Sequence, residues 1–166
     1  MNCKPPTIRH AYLEEYEVAA AIAVKCYQQF ENQIAPGLWP VMKDWIVNTT
    51  NLKNGGELLI AAKHESIVGS IVYYPPNLES HQFFPTNSSY AAALTVLPDQ
   101  RRKGIASSLL KACCELAKSD KSEQFCVSAS SLMTEATMLL LKLGFQKMAK
   151  FERIYGIEYN LFTFRR

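Results

Sequence analysis

The run Leu94-Thr95-Val96-Leu97-Pro98-Asp99-Gln100-Arg101-Arg102-Lys103-Gly104-Ile105-Ala106 concentrates the residue types that hold an anion. Pro98 closes an apolar stretch, three bases follow, and a helical pattern opens around Gly104. A helix N-terminus leaves about four backbone N–H groups without intrahelical acceptors, and the aligned peptide dipoles place roughly half a positive charge there. A phosphate is stabilised at such a point by backbone geometry alone. Gly104 keeps a Cβ out of the path of an approaching phosphate, Ala106 keeps the first turn thin, and Arg101, Arg102 and Lys103 raise the local positive potential. Two phosphate cradles are excluded, because neither G-x-x-x-x-G-K-[ST] nor G-x-G-x-x-G occurs. The competing reading is a plain strand-to-helix turn with solvated bases.

Periodicity supplies the elements that must position this loop. Residues 91–97 form a continuous apolar run closed by Pro98, the pattern of a strand buried on both faces. Residues 102–118 carry Ile105, Leu109, Ala112, Cys113 and Leu116 at helical spacing. Upstream, residues 7–9 read as a short strand and residues 13–30 as a helix, while Pro40 suits the first turn of a shorter helix through Val47. An aromatic loop holding Phe30, Pro36, Gly37, Leu38 and Trp39 joins the two. Residues 57–62 and 67–74 form a hairpin about Lys63-His64-Glu65-Ser66, and a polar loop spans 77–88. Downstream come a strand over 125–129, a helix over 134–143, and strands over 145–154 and 157–164. The order β-α-α-β-β-β-α-β-α-β-β implies an α/β (α+β) domain in which a mixed sheet carries helices on both faces.

Composition bounds the function. The 166 residues, 48% hydrophobic and 20% charged, suit one domain over residues 1–166, and no repeat or low-complexity linker divides them. No apolar run approaches the roughly 20 residues of a membrane span. The start Met1-Asn2-Cys3-Lys4-Pro5-Pro6 lacks the apolar core of a secretory signal. Five cysteines without a C-x-x-C pair suggest neither a disulfide framework nor a zinc ribbon, so no metal is expected and a cytoplasmic location is. The net charge of +3 hides an asymmetry: residues 1–83 hold eight acids against six bases, and residues 84–166 hold twelve bases against seven acids. The basic half suits an anionic ligand. A pI of 8.6 is too mild to suggest a nucleic-acid partner.

The run Val96-x-Pro98-x-x-Arg101-x-x-Gly104-Ile105-Ala106 resembles the acetyl-CoA signature of the GNAT acetyltransferases, with R-x-x-G-x-A in the place of the pyrophosphate loop. Ala136-x-x-Leu139-x-x-Lys142-Leu143-Gly144-Phe145 is similar to the family's last helix and the turn into its sixth strand, and the element order fits over essentially the whole chain. The resemblance implies a GNAT fold whose mixed sheet of six to seven strands splays at the fourth and fifth. It implies acetyl-CoA as co-substrate, its pyrophosphate held by backbone N–H groups from Arg101 or Arg102 through Lys103, Gly104 and Ile105 to Ala106. Main-chain groups of Leu94 and Val96 would pair with the pantetheine arm as an added strand does. The implied chemistry is direct attack of a primary amine of a small molecule or peptide on the thioester, with the Leu94 N–H facing the oxyanion. No membrane partner is implied.

Three positions depart from the family pattern. Leu140 stands where many members place a tyrosine acid, Tyr90 where some place a glutamate base, and Met133 where an asparagine often binds the pantetheine arm. Tyr90 is the catalytic candidate, since a phenol passes a proton through water, although an unperturbed pKa of about 10 makes it a poor base; otherwise it fills sheet surface. Glu79 and His81 are further candidate bases, and Tyr155 and Tyr159 candidate acids, each with a packing reading beside it. Cys113, Cys114 and Cys126 read as packing. Phe30, Trp39, Phe83 and Phe84, with Glu31, Glu79 and His81, either line a pocket for a cationic or apolar-tailed amine or pack the loops onto the sheet. The final strands, ending Tyr159-Asn160-Leu161-Phe162-Thr163-Phe164-Arg165-Arg166, are apolar enough to pair with a second subunit. The alternative to an enzyme is a non-catalytic acyl-CoA-binding domain, motivated by Leu140 and by the missing glutamate at position 90.

Overall fold

Strands β1 (Thr7–His10), β2 (Glu57–Lys63), β3 (Ser66–Tyr74), β4 (Ser88–Val96), β5 (Gln124–Ser130), β6 (Gln146–Ile154) and β7 (Ile157–Arg165) form one sheet in a computed structural model that describes residues 5–78 and 84–165. Helices α1 (Tyr16–Tyr27), α2 (Trp39–Thr50), α3 (Ile105–Ser119) and α4 (Thr134–Lys142) cover it. The strand order is β1-β2-β3-β4-β5-β7-β6. Among the described residues only β4 and β5 run parallel, as the α3 crossover between them requires. Among the described residues no helix is long and apolar enough to cross a membrane.

Period-two alternation divides the sheet between two cores. On one face Leu59, Ala61, Ile71, Tyr73, Phe125 and Phe162 pack with Ile105, Leu109, Leu110 and Cys113 of α3 and Leu140 of α4. On the other, Leu58, Ile60, Val72, Tyr74, Tyr90 and Leu161 pack with Ala19 of α1. A third cluster joins α1 to α2 through Ala23, Tyr27, Met42 and Ile46. Burying one leucine or isoleucine side chain contributes roughly 1.5–3 kcal/mol, so α3 is fixed to the sheet along its whole inner face. Its first turn comes close to the strands because Gly69 has no Cβ: one there would lie 2.8 Å from the Thr95 carbonyl oxygen and 3.2 Å from Ile105.

The sheet opens where the site lies. The β4–β5 ladder runs from Ser88↔Gln124 to Ala91↔Val127 and stops, while β4 continues to Val96 and β5 to Ser130. The expected splay is therefore present. It also changes the burial expected of the fourth strand. Only its first half is buried on both faces; beyond Ala91, the residues Ala92, Leu94 and Val96 are half-buried because no neighbour covers that edge. The strand starts earlier than its apolar run, at Ser88, whose hydroxyl bonds the Pro85 carbonyl.

Three further details differ from the sequence reading. The helix expected over 13–30 is a 3₁₀ turn (Leu13–Glu15), α1, and a 3₁₀ stretch (Gln28–Gln33), the tightening accompanied by the Gln29 side chain, which donates to the Cys26 carbonyl at 2.8 Å. Trp39 belongs to α2 rather than to the loop before it, with Pro40 in the first turn. Strand β7 lies inside the sheet, paired to β5 and β6 along its length, so it has no free edge to offer a second subunit; the outer strands are β1 and β6.

Candidate functional site

Between the pairs Val72↔Ala92 and Ser70↔Thr95, β3 advances two residues while β4 advances three, so β4 bulges at Ala93-Leu94. Ala93 takes φ 53°, a left-handed conformation that costs a non-glycine residue about 1–2 kcal/mol. The strand is pinned again just beyond, where the buried hydroxyls of Ser70 and Thr95 bond at 2.9 Å. The Leu97 N–H then donates to the Val68 carbonyl at 2.9 Å, which makes Gly69↔Val96 a pair that exchanges no hydrogen bonds of its own. The N–H and C=O of Val96 therefore turn away from β3, into the gap left by β5, and Leu94 lies on the bulge itself, where the ladder is interrupted.

Past Leu97 the chain makes a 3₁₀ turn (Pro98–Gln100) and then two left-handed steps, Arg102 at φ 62° and Gly104 at φ 79°. Such alternation gathers successive N–H groups toward one side. The first helical bond of α3 is Ser108 N–H to the Gly104 carbonyl at 3.0 Å. The N–H groups of Ile105, Ala106 and Ser107 therefore precede any acceptor the helix provides. Space beside Gly104 is open: a Cβ built there meets nothing within 4 Å. The Ile105 side chain points into the core, so at that residue only the backbone faces the loop.

The three bases divide. The Lys103 ammonium donates to the Asp99 carbonyl at 2.9 Å and the Gln100 amide oxygen at 3.4 Å, and Arg102 stands 4.0 Å from Glu135 of α4 with both side chains exposed. Arg101 turns inward instead: its Nε donates to the Val96 carbonyl at 3.2 Å and its Nη1 to Gln29 Oε1 at 3.4 Å. The Cys26 thiol reaches the same carbonyl at 3.6 Å. Sequence reasoning singled out Arg101 but missed Gln29 and Cys26, which no local spacing connects to it. Gly69 did carry a signal, as an isolated glycine inside a strand.

Tyr90 is 8% exposed and lies between two rings, Tyr74 at 4.3 Å and Phe84 at 4.4 Å, both stacked nearly parallel to it. Burial, with the neighbouring Tyr90 phenol adding, pushes the Tyr74 phenol up to about 12. Leu140, 1% exposed, belongs to the α3-side core. Met133 precedes α4 and its carbonyl accepts the Thr137 N–H at 3.0 Å. On the other side of the gap, Tyr155 and Tyr159 pack with Tyr27, Met133, Phe30 and Trp39. Burial raises the Tyr155 phenol and pushes Tyr159 up to about 12, so both stay protonated through the neutral range. Cys114 and Cys126 are likewise pushed up to about 11 by burial, and Cys113 is raised further. Glu31 is exposed. Glu79, His81 and Phe83 lie outside the described residues. Among those described, no group of three or more His, Cys, Asp or Glu side chains is placed to hold a metal ion.

A family model described as the acetyltransferase (GNAT) family matches residues 8–145. No curated protein sequence matches the chain. Among solved structures, the chain is similar to a GCN5-related N-acetyltransferase from Rhodopseudomonas palustris, with a TM-score of 0.74, 20% identity, and coverage of 100% of this chain and 99% of that one. A ribosomal-protein-alanine N-acetyltransferase from Brucella melitensis gives 0.70 at 19% identity, covering 96% and 99%. An acetyltransferase from Salmonella typhimurium, solved with its cofactor acetyl-CoA, gives 0.68 at 14% identity, covering 96% and 93%. At these identities the likeness is one of fold.

Proposed function

The chain belongs to the GNAT acetyltransferase family, and from that premise we propose that it moves an acetyl group from acetyl-CoA to a primary amine of a small molecule or peptide by direct attack, without a covalent enzyme intermediate. The observation that carries this reading is the coincidence of two features: the open edge of β4 at Leu94 and Val96, and beside it an α3 N-terminus whose first N–H groups have no helical acceptor. The Salmonella relative, solved with acetyl-CoA, supports the choice of co-substrate, and the Brucella relative, a ribosomal-protein-alanine N-acetyltransferase, is compatible with a peptide acceptor.

Acetyl-CoA supplies the acyl group as an activated thioester. The chain's own residues bind and orient. Backbone N–H groups of Arg102, Lys103, Gly104, Ile105 and Ala106 receive the pyrophosphate, with Arg102 and Lys103 adding positive charge at the rim. Main-chain groups of Leu94 and Val96 pair with the amide-bearing arm, and the Leu94 N–H on the bulge is the donor assigned to the oxyanion, where one fixed donor is worth roughly 100–1000-fold in rate. A primary amine is mostly ammonium at neutral pH and must lose a proton before it attacks. Tyr90 is the candidate relay, through water, at the paired end of β4.

A second reading, a domain that binds acyl-CoA without turning it over, is favoured by two observations: Leu140 offers no proton donor, and the Tyr90 ring is enclosed in its stack. Release of CoA from acetyl-CoA over a panel of amines and peptide N-termini separates the two. Amine-dependent release above background hydrolysis is expected; binding without release across a broad panel would establish the second reading instead.

A further inference from the structure

We propose that Arg101 is a positioning residue that latches the end of α1 to the open edge of β4, so that filling the loop at 101–106 is felt by the segment following α1. The proposal rests on the acetyl-CoA reading above for the identity of what fills the loop. Val96 turns its carbonyl into the gap, and that oxygen accepts from both the Arg101 Nε at 3.2 Å and the Cys26 thiol at 3.6 Å. A carbonyl oxygen has two lone pairs, and here both have donors. The contacts then close on themselves: Arg101 Nη1 donates to Gln29 Oε1 at 3.4 Å, and Gln29 Nε2 donates to the Cys26 carbonyl at 2.8 Å. This ring of four residues joins α1 to β4 and the loop across more than 70 positions of sequence.

The geometry gives the ring a consequence. Any ligand N–H that pairs with the Val96 carbonyl must displace one of its two donors. The thiol is the weaker donor and the longer contact, and its residue lies in the last turn of α1, one position before the helix ends at Tyr27 and the 3₁₀ stretch Gln28–Gln33 begins. Burial raises the Cys26 thiol despite the opposing charge of Arg101, so the group remains a neutral S–H donor at neutral pH. The planar guanidinium reaches strand and helix at once; a lysine keeps the charge but makes a single-point contact and loses the fork.

Hydrogen exchange on peptides covering residues 24–34, with and without saturating acetyl-CoA, tests the latch. In the wild type, acetyl-CoA should change exchange several-fold at 24–34 as well as at 101–108. Arg101→Lys should still be stabilised thermally by acetyl-CoA while losing the ligand-dependent change at 24–34. Gln29→Leu, which opens the ring from the helix side, should weaken that change and leave the thermal shift intact. The latch is overturned if the wild type binds acetyl-CoA with no change at 24–34, or if both variants respond there as the wild type does. If no thermal shift occurs at all, the acetyl-CoA reading fails and ligand-free exchange decides: faster exchange at 24–34 in Arg101→Lys than in the wild type upholds the latch, and equal exchange overturns it.

Discussion

Replacing Gly104 by glutamate should abolish stabilisation by acetyl-CoA while leaving the domain folded. The position sits at φ 79° with nothing within 4 Å of an added Cβ, so the cost to the free protein is conformational rather than steric. A left-handed non-glycine residue costs about 1–2 kcal/mol, and a new carboxylate at the α3 N-terminus recovers about 0.3–1 kcal/mol through the helix dipole. At roughly 2–4 °C per kcal/mol for a domain of this size, the variant should melt only a few degrees below the wild type. Acetyl-CoA at a hundred times its Kd adds about 2.7 kcal/mol, or roughly 5–11 °C. A carboxylate about 5 Å from a pyrophosphate charge, at an effective dielectric of about 20, is repelled by roughly 3 kcal/mol, enough to cancel that shift. Gly104→Ala carries the backbone cost without the charge and should retain part of the shift. Thermal melts with and without millimolar acetyl-CoA read all three proteins, and a wild-type shift in the glutamate variant would refute the anion site.

Tyr90→Phe keeps both ring stacks and should lower amine-dependent CoA release; unchanged release would assign the ring to packing alone. Gly69→Ala drives a Cβ to 2.8 Å from the Thr95 carbonyl oxygen and should cost about 1–3 kcal/mol in urea unfolding, so an unchanged midpoint would contradict the close approach of α3. Ser70→Ala or Thr95→Val alone strands the partner hydroxyl, at about 1–3 kcal/mol each, and the double variant should cost less than the two together, as a double-mutant cycle would show. The Glu15 carboxyl, paired bidentately with Arg9 at 2.8 Å, is held below the usual glutamate range chiefly by that bond. Its contribution is present above that range and disappears as the pH falls through the lowered value. The pair is partly exposed and worth about 0.5–1 kcal/mol, so Glu15→Gln should flatten the acid limb of a stability-against-pH curve and barely change stability once the pH is below that lowered value.

What could be read from the sequence was local. Pro98 and Gly104 fix the turn and the helix start within a few positions, and the apolar period of α3 needs no distant partner to be recognised. The inward turn of Arg101 was not readable, because its acceptors come from Val96 and Gln29, which meet only after β4 and α1 have packed. Tyr90 tells the same story: Phe84 and Tyr74 reach it from two directions, and neither spacing announces a stack. The bulge left no mark, since Ala93 is not the glycine that a left-handed residue favours. Strand β7 reads equally well as an edge or an interior strand, because apolar residues on both faces say nothing about which backbone neighbours it has.

A sheet joined at its middle by four residue pairs is mechanically two sheets hinged together. Among the described residues, the strand ladder that stitches β1–β4 to β5, β7 and β6 runs from Ser88 to Ala91, and beyond it β4 and β5 are unpaired with each other. What spans the seam is α3, whose buried Leu109, Leu110 and Cys113 share one core with Ile71 and Ala91 on one side and Phe125 and Phe162 on the other. The width of the slot is thus set by the girth of a helix lying behind it, as a spacer sets the gap between two plates. Adding or removing a methylene group at those buried positions should adjust the slot from its back wall without touching any residue that lines it.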